Sequence, residues 1–414
     1  MANDKLQFEI PAKTKQWSMI LMGIGLVSLI AGWFLDKTHH QYWWANLLIS
    51  GFFFFALSLG AMFFYALQYA AEVAWSSQLK RIFEAMFSYV PYGLAAVGLV
   101  LLAGQLHWHH LYHWMDSEVV NPENKEKYDV IIAGKMPFLS SWFFWLRFIL
   151  YSVVFIVFAR FFRQWSVLED TNPSVDLHLK QYRRGALFLV FFAVFSSTLA
   201  WDWLMSIDTH WFSTMYGWYI FSGMWVTTMI FTTLFVLWLK GKGYLPKVND
   251  SHIHDLGKWV FAISMLWSYL WFCQYMLIWY SDIPEEITYF KERYDHYMYG
   301  MWAIFFCNFA IPFYVLIARD AKRNPKFLWI VGSIIFVTHF LDLYMAVVPG
   351  TTHGHIMWGG GEHGSHVTFV GWFEFGTFLG FLGLFLFVVT NTLTKAKMIP
   401  VNHPYLNESE NHHI

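Results

Sequence analysis

Ten stretches of the chain are long and apolar enough to cross a lipid bilayer, and no other feature limits its folding as tightly. They are 17–35, 46–71, 88–107, 140–162, 186–206, 214–239, 258–280, 297–318, 327–348 and 367–391. A span needs about 20 mostly apolar residues. Isolated strands leave backbone groups unsatisfied in hydrocarbon, so all ten are expected to be helical. Composition agrees: of 414 residues 57% are hydrophobic and only 13% charged, against about 25% charged in soluble domains. The polar residues 1–16 followed by a long apolar run, with no small-residue cleavage site after it, read as an uncleaved first span. The expected fold class is therefore an all-α polytopic membrane protein, a single integral membrane domain over 1–414.

Lys and Arg set the expected orientation. Of the 27 such residues, 20 lie in or beside the termini and the even-numbered loops, and six in or beside the odd-numbered loops; Arg147 lies within a span. Both termini should be cytoplasmic, with 392–414 as a cytoplasmic tail. The odd loops then face outward and hold 12 of the 19 histidines.

Other classes are disfavoured. A net charge of -1 argues against nucleic acid as a partner. Cys273 and Cys307 both fall in apolar runs, and two thiols are too few for an iron–sulfur cluster of the usual kind. There is no C-x-x-C-H haem motif, no P-loop and no dinucleotide fingerprint. Only His339 lies deep in a span, so no bis-histidine haem is expected.

A short repeat organises the spans. "TLAWDWLM" (198–205) and "THFLDLYM" (338–345) share T-x-x-x-D-x-x-M, 140 residues apart. Each closes a set of four spans, which predicts a first four-helix bundle over 46–206 (spans 2–5) and a second over 214–348 (spans 6–9). Span 1 (17–35) and span 10 (367–391) then flank them.

Ionisable groups inside spans cost roughly 2.5–3.5 kcal/mol each and usually face the bundle interior. Here they are Arg147, Asp202, His339, Asp342 and Glu374, with Glu72 at the inner end of span 2. His339 and Asp342 sit one turn apart on one helix face. Span 2 carries a polar stripe of Ser58, Tyr65, Gln68 and Glu72, and span 7 carries Ser264, Ser268 and Tyr275. Such a chain suits proton transfer across a membrane. The competing reading is a structural buried network, in which Arg147 neutralises Asp202 and Glu72 rests among headgroups.

Two histidine-rich segments lie in the odd loops. "HWHHLYHW" (107–114) places His109 and His113 four apart, and "HGHIMWGGGEHGSH" (353–366) sets four histidines among glycines. An interfacial belt and a docking loop are expected there, with no metal. "YSDIPEEITYFKERYDHY" (280–297) reads as the start of a short outer helix, with a proline and two acids in its first turn.

At this point a family resemblance emerges. "WSYLWFCQYMLIWYSDIPEE" (267–286), "WDWLMSIDTHWFSTMYGWY" (201–219), "THFLDLYMAVVP" (338–349) and "HPYLNESENHH" (403–413) resemble the large membrane subunits of bacterial alternative complex III, within the broader NrfD/PsrC-like family. The length and short outer loops are more similar to the second, ActF-type subunit than to the longer ActC-type one. The resemblance implies a quinol-oxidising complex of the bacterial inner membrane that passes electrons to c-type cytochromes or an oxidase. It implies as partners the ActC-type membrane subunit, a peripheral iron–sulfur subunit, multihaem and monohaem c-type cytochromes, small membrane subunits, a terminal oxidase and lipids. Haem c and iron–sulfur clusters would belong to those partners. This chain would hold no cofactor of its own beyond a quinone or lipid. In the family the quinol site is assigned mainly to the ActC-type subunit; here Trp201, Trp203, Gln274, Tyr275 and Tyr280 are the residues that could line one. A stand-alone proton-coupled transporter and a purely structural anchor remain as alternatives.

Overall fold

The computed structural model describes residues 7–36, 38–352 and 371–413. Among them every extended regular element is helical, and ten helices are long and apolar enough to span a membrane. The protein is an all-α, multi-pass membrane protein. In chain order the helices are α1 (Ala12–Leu35), α2 (Gln41–Ala70), α3 (Lys80–Phe87), α4 (Val90–Gln105), α5 (Val130–Leu139), α6 (Ser141–Glu169), α7 (Val175–Trp203), α8 (Met215–Gly241), α9 (Asp250–Ser281), α10 (Pro284–Leu316), α11 (Pro325–Thr352), α12 (Trp372–Leu393) and the short α13 (Leu406–Glu410).

Two closed rings form. Helices α2, α4, α6 and α7 pack each against the next, and so do α8, α9, α10 and α11. The rings meet where α2 lies on α8 and α11, and where α7 lies on α8. Because α2 serves both rings, its whole apolar length is buried. Helix α12 rests on α2 and α3, and α1 is held almost entirely by α12. That last contact depends on glycine. A Cβ on Gly25 would sit 2.3 Å from the Gly380 Cα, and one on Gly376 would strike Ser28. Without a strong hydrophobic drive between helices in lipid, such close backbone approach supplies the packing.

Residue 7 pairs with residue 397, so both chain ends lie on one face of the bundle. This is called the termini face below, and the opposite one the far face.

Three boundaries differ from the sequence reading. The segment 72–87, expected as a loop, contains α3, and the third spanning unit runs Trp75–Gln105. The expected short helix after residue 282 joins the eighth span into one helix, α10, bent at Tyr297 (φ -125°, ψ 19°). Its start is as the sequence predicts, with Pro284 in the first turn and Glu285 and Glu286 facing the helix dipole. The long connection 108–139 holds α5, whose first backbone amides are capped by the Asp129 carboxylate. Residues 353–366 and 367–370 lie outside the described residues.

Candidate functional site

The two copies of T-x-x-x-D-x-x-M lie on α7 and α11, with Asp202 one residue before the end of its helix and Asp342 ten residues before the end of its own, and their aspartates have different partners. Asp202 is locked. Arg147 of α6 donates from Nε to Oδ2 at 2.8 Å and from a terminal nitrogen to Oδ1 at 2.6 Å. Tyr151 donates to Oδ2 at 3.1 Å. The guanidinium also reaches the Phe138 carbonyl at 2.8 Å and lies against the Phe138 and Phe143 rings. A two-pronged Arg–carboxylate pair is among the stronger and more directional contacts in proteins.

Asp342 has no such cation. Tyr219 of α8 donates to Oδ1, and Trp267 of α9 donates from Nε1 to Oδ2 at 3.1 Å. His339 Nδ1 stands 3.9 Å from Oδ2. Among the described residues neither Lys nor Arg forms an ion pair with Asp342. His339 is only 3% exposed, packs edge-on against Trp267, and has no hydrogen-bond partner at either ring nitrogen. Buried polar groups are rarely left so.

Space beside these residues accounts for the gap. A cavity of about 30 Å³ is bordered by His339, Asp342, Tyr219, Gly223 and Thr227. A second, of about 20 Å³, lies on the other side of Asp342, bordered by Gln274, Tyr289 and Arg293. A water needs roughly 10–15 Å³ by this measure, with polar partners around it. Tyr289 and Arg293 also border a third cavity of about 790 Å³ at the far face, with Asp208, His210 and Glu292. Arg293 is held there by Asp208 at 3.3 Å and by the carbonyls of Tyr289, Met345 and Ala346. The first two cavities share Tyr219 and Asp342 as lining residues, and the last two share Tyr289 and Arg293. Toward the termini face the line is sparser: Ser264 is buried with an unpartnered hydroxyl, and Ser268 donates to the Ser264 carbonyl.

The stripe on α2 borders a separate cavity at the termini face, in the first ring. Tyr65, Gln68 and Glu72 line it together with Lys80, His178 and His403. Tyr65 donates to Gln181 at 2.9 Å, Gln68 is buried, and Glu72 is exposed at the end of α2 in a left-handed conformation. Around it lies a buried charge network that the sequence reading did not single out. Lys80 donates to Glu169 at 2.5 Å and to Tyr69 at 3.0 Å. Arg81 reaches Glu84, Ser166 and Asp170, and Arg163 reaches Glu84. The available signal was the pattern of α3, where Lys80, Arg81 and Glu84 alternate with Ile82, Phe83 and Met86 on a helical period.

The remaining expected residues disperse. Glu374 lies in the first turn of α12 and reaches back to its start, accepting from the Gly371 amide at 2.9 Å and from the Tyr42 hydroxyl. It serves a helix end, away from the Asp342 cavities. Trp203 is fully buried among Phe52, Phe55, Phe148 and Tyr151. Trp201 borders a cavity against α5, Gln274 borders the one beside Asp342, Tyr275 stacks on Trp271, and Tyr280 is 80% exposed. These five do not converge on one pocket. His109 and His113 do not share a helix face, because 107–112 is irregular. His109 is bound at both nitrogens, to the Val100 carbonyl at 2.9 Å and from the Leu111 amide at 3.2 Å. Burial pushes this imidazole down to about 4.

No family model matches the chain, and no curated protein matches it.

Proposed function

We propose that this chain is a membrane subunit of a quinol-oxidising respiratory complex, and that its second helix ring moves protons between the membrane centre and the far face. The observation that carries the proton reading is Asp342. It is a buried carboxyl with two neutral donors, no paired Lys or Arg among the described residues, and two water-sized cavities lined by it. Burying an unpaired carboxylate is costly, and intramembrane acids in such surroundings typically mark proton relays. His339, with free ring nitrogens beside the inner cavity, is the next station. Arg293, Tyr289 and Asp208 form the mouth.

The respiratory assignment rests on the resemblance of residues 201–219, 267–286 and 338–349 to the alternative complex III subunits. With it come the proposed partners: an ActC-type subunit, an iron–sulfur subunit, c-type cytochromes, small membrane subunits and an oxidase. The proposed location is the bacterial inner membrane. The Lys and Arg bias favours cytoplasmic termini, which makes the far face the outer one and the path an outlet.

For the first ring a structural role is the better reading, because Asp202 is already neutralised by Arg147. A transporter would favour spans broken at matching depths; Pro312 lies inside α10 without ending it.

The test is a gentle detergent purification through a tag on this chain, then proton release from the reconstituted assembly. Co-purifying c-type haem and an iron–sulfur subunit are expected, and Asp342→Asn should assemble yet lose proton release. A colourless chain purifying alone would refute the respiratory assignment. Normal proton release in assembled Asp342→Asn would refute the path.

A further inference from the structure

Three side chains from distant parts of the sequence meet at the termini face with nothing between them. Glu169 ends α6, His178 lies in the first turn of α7, and His403 belongs to the tail after α12. All three are buried, and one ligating atom from each falls within 4.8 Å of the other two. His178 is 4% exposed, yet neither ring nitrogen has a hydrogen-bond partner. Glu169 uses Oε2 for Lys80 and leaves Oε1 without a partner. Gln68 Oε1, at the edge of the same small cavity, is also unpartnered. One nitrogen of neutral His178, Glu169 Oε1 and Gln68 Oε1 are thus buried acceptors without partners, and orphaned buried polar groups each cost free energy.

We infer that Glu169, His178 and His403 bind one divalent transition-metal ion of the zinc class. Two imidazoles and a carboxylate are a set that suits such ions, whereas calcium and magnesium take oxygen ligands. Metal–nitrogen bonds of about 2.0–2.1 Å in a tetrahedron hold ligand atoms about 3.4 Å apart. The set therefore closes by at most about 1.4 Å from its present spread. Lys80 orients Glu169 from behind through Oε2, as outer-shell partners of metal ligands do. His403 Nδ1 already accepts from the Tyr405 amide at 3.2 Å, which leaves Nε2 for the ion. Charge also shapes the site. Lys80, Arg81 and Arg163 already balance Glu84, Glu169 and Asp170. The added positive charge is met by Glu72, which lines the cavity at its mouth. With a water as the fourth ligand, the ion fastens the tail to the α6–α7 turn and closes this end of the first ring.

The experiment uses the full chain in detergent, stripped with a chelator and titrated with Co²⁺ and Zn²⁺. One equivalent should bind, with the intense visible absorption of four-coordinate Co²⁺ displaced by Zn²⁺. His178→Gln and His403→Gln should lose it, and Glu72→Gln, an exposed change, should weaken it severalfold. Because 19 histidines offer other weak sites, a second reading follows the tail directly. Lys395 and Lys397 are exposed, so trypsin releases the residues after them when the tail opens. At a hundredfold excess over Kd, Zn²⁺ should slow that release about 100-fold in the unaltered protein. This reading decides the matter even if the histidine variants fail to fold. No four-coordinate spectrum, a spectrum retained in both histidine variants, or tail release indifferent to Zn²⁺ would each overturn the site.

Discussion

Asp202 and Asp342 share a motif and near-complete burial, and differ in what faces them. That difference predicts opposite responses to the same substitution. Asp202→Asn leaves Arg147 buried without its counter-charge, and stranding one member of a buried pair costs about 3–5 kcal/mol. Asp342→Asn keeps the shape and an acceptor for Tyr219 or Trp267 and strands no cation. Thermal unfolding of the two variants in one detergent should place Asp202→Asn well below the parent protein and Asp342→Asn close to it. Equal losses would mean that Asp342 is also structural. The sequence made the motif visible because ionisable residues are conspicuous in apolar runs. The pairing of Arg147 with Asp202 was legible for the same reason, as lone buried charges are rare. Tyr219 and Trp267 were not. Where a fifth of the residues are aromatic, no single ring announces that its polar edge will find an acid. The scattering of Trp201, Trp203, Gln274, Tyr275 and Tyr280 has the same origin.

The elements that long apolar runs define were legible, and those that depend on distant partners were not. Helix α3 carries Lys80, Arg81 and Glu84, charges that look solvated until α6 supplies Glu169, Asp170 and Arg163 to meet them. The loop after α4 shows the same limit. "HWHHLYHW" has helical spacing, yet the chain there is tied down by one buried imidazole acting as donor and acceptor at once. This needs neutral His109, whose pKa burial lowers from 6.5 to about 4. A histidine with a depressed folded pKa contributes its stability above the unfolded value, and that contribution is lost as pH falls through the folded one. Opening of residues 107–115 should therefore become easier by roughly tenfold per pH unit between 6.5 and 4, and change little above 7. Hydrogen exchange of this segment, corrected for intrinsic rates, measures it. His109→Gln should flatten the profile; an unchanged slope in that variant would assign the dependence to another group.

Across the whole molecule the two rings differ in how their buried polar groups are met. The first is closed by ion pairs at both ends: Arg147 with Asp202 toward the far face, and the Lys80–Arg81–Glu84–Glu169 network toward the termini face. The second has unsatisfied groups and water-sized spaces beside Asp342, and Arg293 lines both the nearer of these and the cavity at the far face. In the proposed proton path, the compartment served depends on one property, the side on which the termini lie. The charge bias assigns them to the cytoplasm. With Cys273 and Cys307 replaced by serine, Glu123→Cys reports the loop before α5 on the far face, and Asn407→Cys reports the tail on the termini face; both positions are exposed. A membrane-impermeant maleimide added to intact spheroplasts should label the first and spare the second until the cells are lysed. The reverse pattern would leave every contact described above unchanged and turn the Asp342 path from an outlet to the exterior into an intake from the cytoplasm. The helix packing is indifferent to that choice. The distribution of 20 cations against six is what breaks the symmetry, so a single labelling result assigns a direction to the buried chemistry.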